Sequence, residues 1–151
     1  MKMLTLGLIV LMFGCKTKKN AENTVEPAQN TQTVKITAQV RDSKQDISDN
    51  FEILDHRVEG NNLFLKVSYS GGCKDHSFLV IGDPNIAKSL PPIRSVKLIH
   101  RSNQDACREL IEELLEIDIT PLTYKKEEGS TIYLNFEGIE ERITYIYQEP
   151  K

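Results

Sequence analysis

Four residues near the middle of this 151-residue chain could share chemistry: Cys73, His76, His100 and Cys107. The runs His76 to Ile81 and Arg94 to Arg101 both read as strands. As consecutive antiparallel neighbours they share a loop centred near Lys88, with His76 twelve residues before it and His100 twelve after. The two imidazoles then stand opposite, or nearly so, at one end of the pair. His76 is in phase with Phe78 and Val80, and His100 with Val96 and Leu98, so both rings share the inward face. A register slip of one residue would put them on opposite faces. Cys73 and Cys107 fall in the loops at that same end, with Gly71 and Gly72 allowing close backbone approach.

Three chemistries fit this cluster. A Cys73–Cys107 disulfide would close a loop of about 35 residues and stabilise by roughly 2–4 kcal/mol. Alternatively, Cys73, His76, His100 and Cys107 form a metal site, two thiolates and two imidazoles suiting zinc or copper. A hybrid keeps the bridge and leaves His76 and His100 as a metal pair completed by Asp75 or Asp105. Nucleophilic catalysis by either cysteine needs a reduced thiolate and a third group to orient the base, and the sequence shows neither. His56 alternates with Leu54 and Val58 and reads as a partly buried strand residue.

The redox compartment decides among these, and the N-terminus speaks to it. Lys2 precedes an apolar run from Leu4 to Phe13, too short for a membrane span of about 20 residues but of secretory length. Leu11-Met12-Phe13-Gly14-Cys15 resembles the bacterial lipobox, with Phe13 where a small residue is commoner. Residues 1–14 are therefore expected to be a lipoprotein signal peptide, and Cys15 the lipidated residue carrying palmitate-type chains. One acyl chain holds only marginally, whereas two or three hold firmly. Export favours oxidation of the two remaining cysteines, so the bridge is the leading reading and no cofactor is expected. An aspartate after the acylated cysteine marks inner-membrane retention in enteric bacteria. Lys16 stands there instead, so an outer-membrane anchor facing periplasm or surface is expected.

Loss of Lys2 with the signal leaves 18 basic against 22 acidic side chains, a formal charge of −4, which argues against nucleic acid as partner. Lys16, Lys18 and Lys19 beside the lipid read as solvated. Residues 15–33 are polar, contain Pro27 and bury almost nothing, the composition of a disordered tether. Residues 34–151 suffice for one domain.

In that domain the apolar period is two. Val34, Ile36, Ala38 and Val40 alternate with polar residues, and Glu59-Gly60-Asn61-Asn62 joins two arms of a hairpin. Leu115, Ile117 and Ile119 form another strand, and Thr131 to Phe136 with Arg142 to Tyr147 a last pair. Ala106, Cys107, Leu110, Ile111 and Leu114 instead fall at helical spacing, with Asp105 or Asn103 as cap and Glu109, Glu112, Glu113 and Glu116 on the solvated face. Seven or eight short strands with one short helix predict an all-β, mainly antiparallel β-sandwich, with a partly open barrel as the alternative.

Tyr69-Ser70-Gly71-Gly72-Cys73-Lys74-Asp75-His76-Ser77-Phe78, the stretch from His100 to Cys107, and Ile117 to Leu122 resemble a pattern in small exported lipoproteins of Bacteroidota type, marked by Gly-Gly-Cys-x-x-His-x-Phe. The resemblance spans about the middle half of the chain. It implies a source and lipid anchoring but no activity. Signatures of hydrolases, metalloproteases, phosphate-binding loops and Cys-x-x-Cys redox proteins are absent. The expectation is a non-enzymatic binding or envelope-structural module, held to the membrane by its lipid, with an envelope protein or small ligand as partner. A zinc- or copper-binding lipoprotein is the alternative.

Overall fold

The computed structural model describes residues 33–150. The expected signal peptide, the lipidation site Cys15 and all but the last residue of the expected tether lie outside them. Thr33 already opens the first strand.

Among the described residues nine strands form two sheets. One sheet runs β1 (Thr33–Thr37), β7 (Glu109–Asp118), β4 (Asn62–Gly71), β3 (Glu52–Glu59). The other runs β2 (Gln39–Val40), β5 (Ser77–Ala87), β6 (Ile93–Arg101), β8 (Thr131–Phe136), β9 (Ile143–Ile146). The β-sandwich expected from the alternating pattern is therefore present. It is more mixed than expected: among the described residues β1–β7, β2–β5 and β6–β8 pair in parallel and four other pairs run antiparallel.

The inward faces follow the period of two. Leu63, Leu65 and Val67 of β4 and Leu115 and Ile117 of β7 meet Val80, Val96, Leu98, Ile132, Leu134 and Tyr145 of the other sheet in one buried core. Burying each such side chain contributes about 1.5–3 kcal/mol, the main term holding the sheets together. The first expected strand is split between the sheets. Its two halves are hinged at Ala38, which is 2% exposed and donates its N–H to the Asp118 carbonyl. A larger side chain there would have to fit between both layers.

The expected helix is a strand. Glu109 to Asp118 pairs with β4 over the full ten residues of each, from Gly71↔Glu109 to Asn62↔Asp118. Helix propensity here amounts to tenths of a kcal/mol per residue, and a ladder on a buried sheet overrides it. The acidic residues become cross-strand partners: Glu112 meets Lys66 at 2.7 Å and Glu116 meets Lys35 at 3.2 Å. Among the described residues the one short helix is a 3-10 turn at Thr120–Leu122, directly after the strand rather than in its place. The expected loop from Gly82 to Pro92 is also shorter. β5 continues to Ala87 across an irregularity between Gly82 and Ile86 that absorbs Pro84, leaving only residues 88–92 to turn.

Candidate functional site

The two loops at one rim of the sandwich do meet. The β4–β7 ladder ends at Gly71↔Glu109, and Cys73 and Cys107 stand two residues beyond it on either side, in continuing register. They are joined as a disulfide with α-carbons 5.9 Å apart. Gly72 makes this possible, since its φ of +109° is a conformation that side chains resist.

The histidines come from the other sheet. β5 and β6 pair Phe78 with His100, so continuing the register sets His76 opposite Ser102. The histidines are therefore offset by two residues, not directly opposed, and an offset of two preserves the shared face. Nδ1 of His76 lies 2.8 Å from Nε2 of His100. His100 is 1% exposed, and its Nδ1 reaches the Asn50 carbonyl at 3.1 Å. Nε2 of His76 faces Oδ2 of Asp105 at 3.3 Å, with both side chains buried. Tyr69 stacks on His76 with centroids 4.6 Å apart, and Phe78 stacks on His100 at 4.8 Å. The Tyr69 hydroxyl donates to Glu113 at 3.0 Å, and burial, reinforced by that carboxylate, pushes the phenol well above its usual range.

The Asn50 carbonyl can only accept, so Nδ1 of His100 donates to it. Burial first, and the neighbouring His76 after it, push the His100 pKa down against the opposing pull of Asn50.

Asp105 is the organising residue. Its Oδ1 accepts the Cys107 N–H and its Oδ2 accepts those of Cys73 and Lys74, all at 2.9 Å. These donors, led by Cys107, hold its carboxyl far below the ordinary carboxylate range despite the opposing effect of burial. One of the two residues expected to cap a helix, Asp105, thus caps both disulfide loops. Segment 48–50 seals the remaining side: His100 N–H donates to Ser48 Oγ, and the Asp49 carboxylate accepts from Ser102 N–H and Oγ.

Cys73, His76, His100 and Cys107 therefore share a rim but do not surround one point. The sulfurs are bonded to each other, and both nitrogens of His100 are committed to Asn50 and His76. Asp105, and not a histidine, has its ligand atom within 4.8 Å of both sulfurs. Asp75 contributes only its backbone carbonyl, to Asn103. His56 sits on edge strand β3 opposite Leu65 and is exposed, where partial burial was expected. Tyr69 and Asn50 escaped the sequence reading. Tyr69 was signalled by its phase with Leu63, Leu65 and Val67; Asn50 acts through its backbone and left no signal.

No family model and no curated protein sequence matches the chain. Among solved structures it is similar to a NigD-like immunity protein from Bacteroides caccae, with a TM-score of 0.58 and 15% identity over 76% of this chain and 59% of that one. Two further similarities are to a DUF1344 protein of unknown function from Bacteroides vulgatus and to a toxin-related protein from Parabacteroides distasonis. The first has a TM-score of 0.49 and 15% identity over 80% of this chain and 58% of that one. The second has a TM-score of 0.49 and 12% identity over 74% and 59%. The chain thus spans less than two thirds of the length of each. The first of these likenesses, to the NigD-like immunity protein, describes the fold.

Proposed function

We propose that the chain is a lipid-anchored, non-enzymatic binding module of the bacterial cell envelope, which recognises a protein partner through an apolar rim at the β5–β6 turn. The observation that carries this is the contrast between the two ends of β5 and β6. At one end the titratable residues are buried and spent on holding loops together. At the other, Leu90 is 98% exposed and Tyr124 53% exposed, beside Ile86, Pro84 and Pro92 around an open hollow of about 640 Å³. Leu90 on the proline-stiffened turn and Tyr124 beside it expose apolar surface, and tyrosine is enriched among the residues that anchor interfaces. The fold shared with a protein described as an immunity protein is compatible with a binding role. The lipobox-like Leu11 to Cys15 supports anchoring, with the outer membrane as the expected site.

Two experiments test the reading. Fatty-acid labelling of the full chain in a Bacteroidota host is expected to mark the wild type and not Cys15→Ser, which moves to the soluble envelope fraction. A photo-crosslinking side chain at position 90 is expected to trap one dominant protein, whereas the same group at Lys35 on β1 traps none. Equal patterns from both positions would remove the binding rim from consideration.

A further inference from the structure

We propose that the Cys73–Cys107 bridge is the closed form of a redox-gated metal site, in which the two reduced sulfurs and the Asp105 carboxylate hold one divalent ion of the zinc class. The reading is independent of the apolar rim at the opposite end of β5 and β6.

The donor set comes from the geometry. The two sulfurs and one Asp105 oxygen lie within 4.8 Å of one another. Around a tetrahedral zinc with bonds of about 2.3 Å to sulfur and 2.1 Å to oxygen, donors stand roughly 3.5–3.8 Å apart. Small shifts of three side chains reach that arrangement. Two sulfurs and one carboxylate oxygen leave a fourth position for water or an exogenous ligand, the pattern of an open rather than a sealed zinc centre. Asp105 is fixed by three backbone N–H donors and by His76, the kind of outer support that orients metal-ligating carboxylates.

Opening the bridge does not release its flanks. The ten-residue β4–β7 ladder holds both, and Gly71 lies so close to the His76 ring that an added Cβ would meet its nitrogen at 2.5 Å. Reduction therefore leaves two sulfurs confined beside a buried carboxylate. The Lys74 ammonium is committed to the carbonyls of Asn103 and Gln104 rather than to that carboxylate. A divalent cation relieves the charge.

The chemistry balances with a dithiol as reductant. It delivers two electrons and two protons, the Cys73–Cys107 bond breaks to two thiols, and the dithiol closes to its own disulfide. Metal binding then displaces the two thiol protons to solvent. Cys73 is exposed, so a thiolate has a path to it.

The test uses the full chain, oxidised or reduced with a water-soluble phosphine, titrated with cobalt(II) under inert gas. The reduced chain is expected to develop the charge-transfer and visible bands of four-coordinate, thiolate-bound cobalt at one ion per chain, bleached by zinc. The oxidised chain develops neither. Asp105→Asn is expected to weaken binding at least tenfold, and His76→Gln about tenfold, the loss typical of an outer-shell partner. Far-UV circular dichroism of each sample reports folding. Absence of the thiolate–cobalt bands, loss of the fold on reduction, equal cobalt binding by the oxidised chain, or wild-type affinity in both variants would each overturn the proposal.

Discussion

Nδ1 of His76 lies 2.8 Å from Nε2 of His100, although the strands that carry them pair His100 with Phe78. The contact is diagonal across β5 and β6 and is held from both ends, by Asp105 on one side and the Asn50 carbonyl on the other. Three loops thereby depend on one line of hydrogen bonds: residues 48–50, 72–76 and 102–107.

That line makes stability sensitive to acid in two windows. Burial holds His100 below its ordinary value of 6.5, so the unfolded chain takes up its proton first as pH falls. Stability from this source is complete above about pH 6.5 and declines below it. Asp105 is depressed from 3.8, mainly by the Cys107 N–H, so its contribution persists above that value and is lost only at lower pH, as its folded-state carboxylate is protonated. Urea midpoints measured from about pH 8 to 3 should fall in both windows, and Asp105→Asn should flatten the lower one. A midpoint constant across the upper window would contradict the buried, neutral assignment of His100.

The bridge should stabilise without being required for folding. It closes a loop between residues 34 apart in sequence, for which chain entropy assigns about 2–4 kcal/mol. Both cysteines lie just past a ten-residue ladder whose pairing does not include them. Cys73→Ser/Cys107→Ser is therefore expected to lower Tm by on the order of 10 °C while keeping the β spectrum. Calorimetry of the double variant with and without reductant checks this, since only the wild type should respond to reductant.

Much of this arrangement could be read from residue order. Period-two runs gave most of the strands, Glu59 to Asn62 gave the β3–β4 turn, and the meeting of residues 73 and 107 at one rim followed from placing two loops at one end of the sandwich. Three things could not be read. Ala106 to Leu114 has helical spacing and good helix formers, and only the long-range ladder with β4 decides against a helix. The parallel β1–β7 pairing joins residues about eighty apart and leaves no local mark. Asn50 works through its carbonyl, which any residue type would supply.

Gly71 offers a sharper probe of the rim than its polar residues do. A Cβ there would sit 2.5 Å from His76 Nε2 and 3.3 Å from an Asp105 oxygen, so Gly71→Ala must push the ring off the carboxylate. Overpacking of this kind costs about 1–3 kcal/mol. Gly129→Ala is a fitting control, because its φ of +78° is strained for alanine but nothing lies within 4 Å of the new carbon. Its cost should be about 1 kcal/mol from the backbone alone. The two should also differ by NMR: Gly71→Ala shifts the imidazole resonances of His76 and His100, whereas Gly129→Ala leaves them in place. Equal spectra would mean that the backbone at Gly71 yields before the ring does.

The apolar rim should separate binding from stability. Leu90 is 98% exposed and Tyr124 53% exposed, so truncating them removes little buried surface. Leu90→Ser and Tyr124→Ser should each change folding stability by no more than about 0.5 kcal/mol, as surface substitutions usually do. At an interface, the same residues in a desolvated contact would each contribute about 2 kcal/mol or more, roughly a thirtyfold loss of affinity. Combining the two changes in the full, membrane-anchored chain should therefore abolish the adduct trapped from a crosslinker placed at Ile86, while the urea midpoint stays at the wild-type value. If the adduct survives both substitutions, the hollow beside Tyr124 is an ordinary surface and recognition lies elsewhere on the sandwich. If the unfolding free energy falls by several kcal/mol instead, Leu90 is packed in solution against part of its own chain.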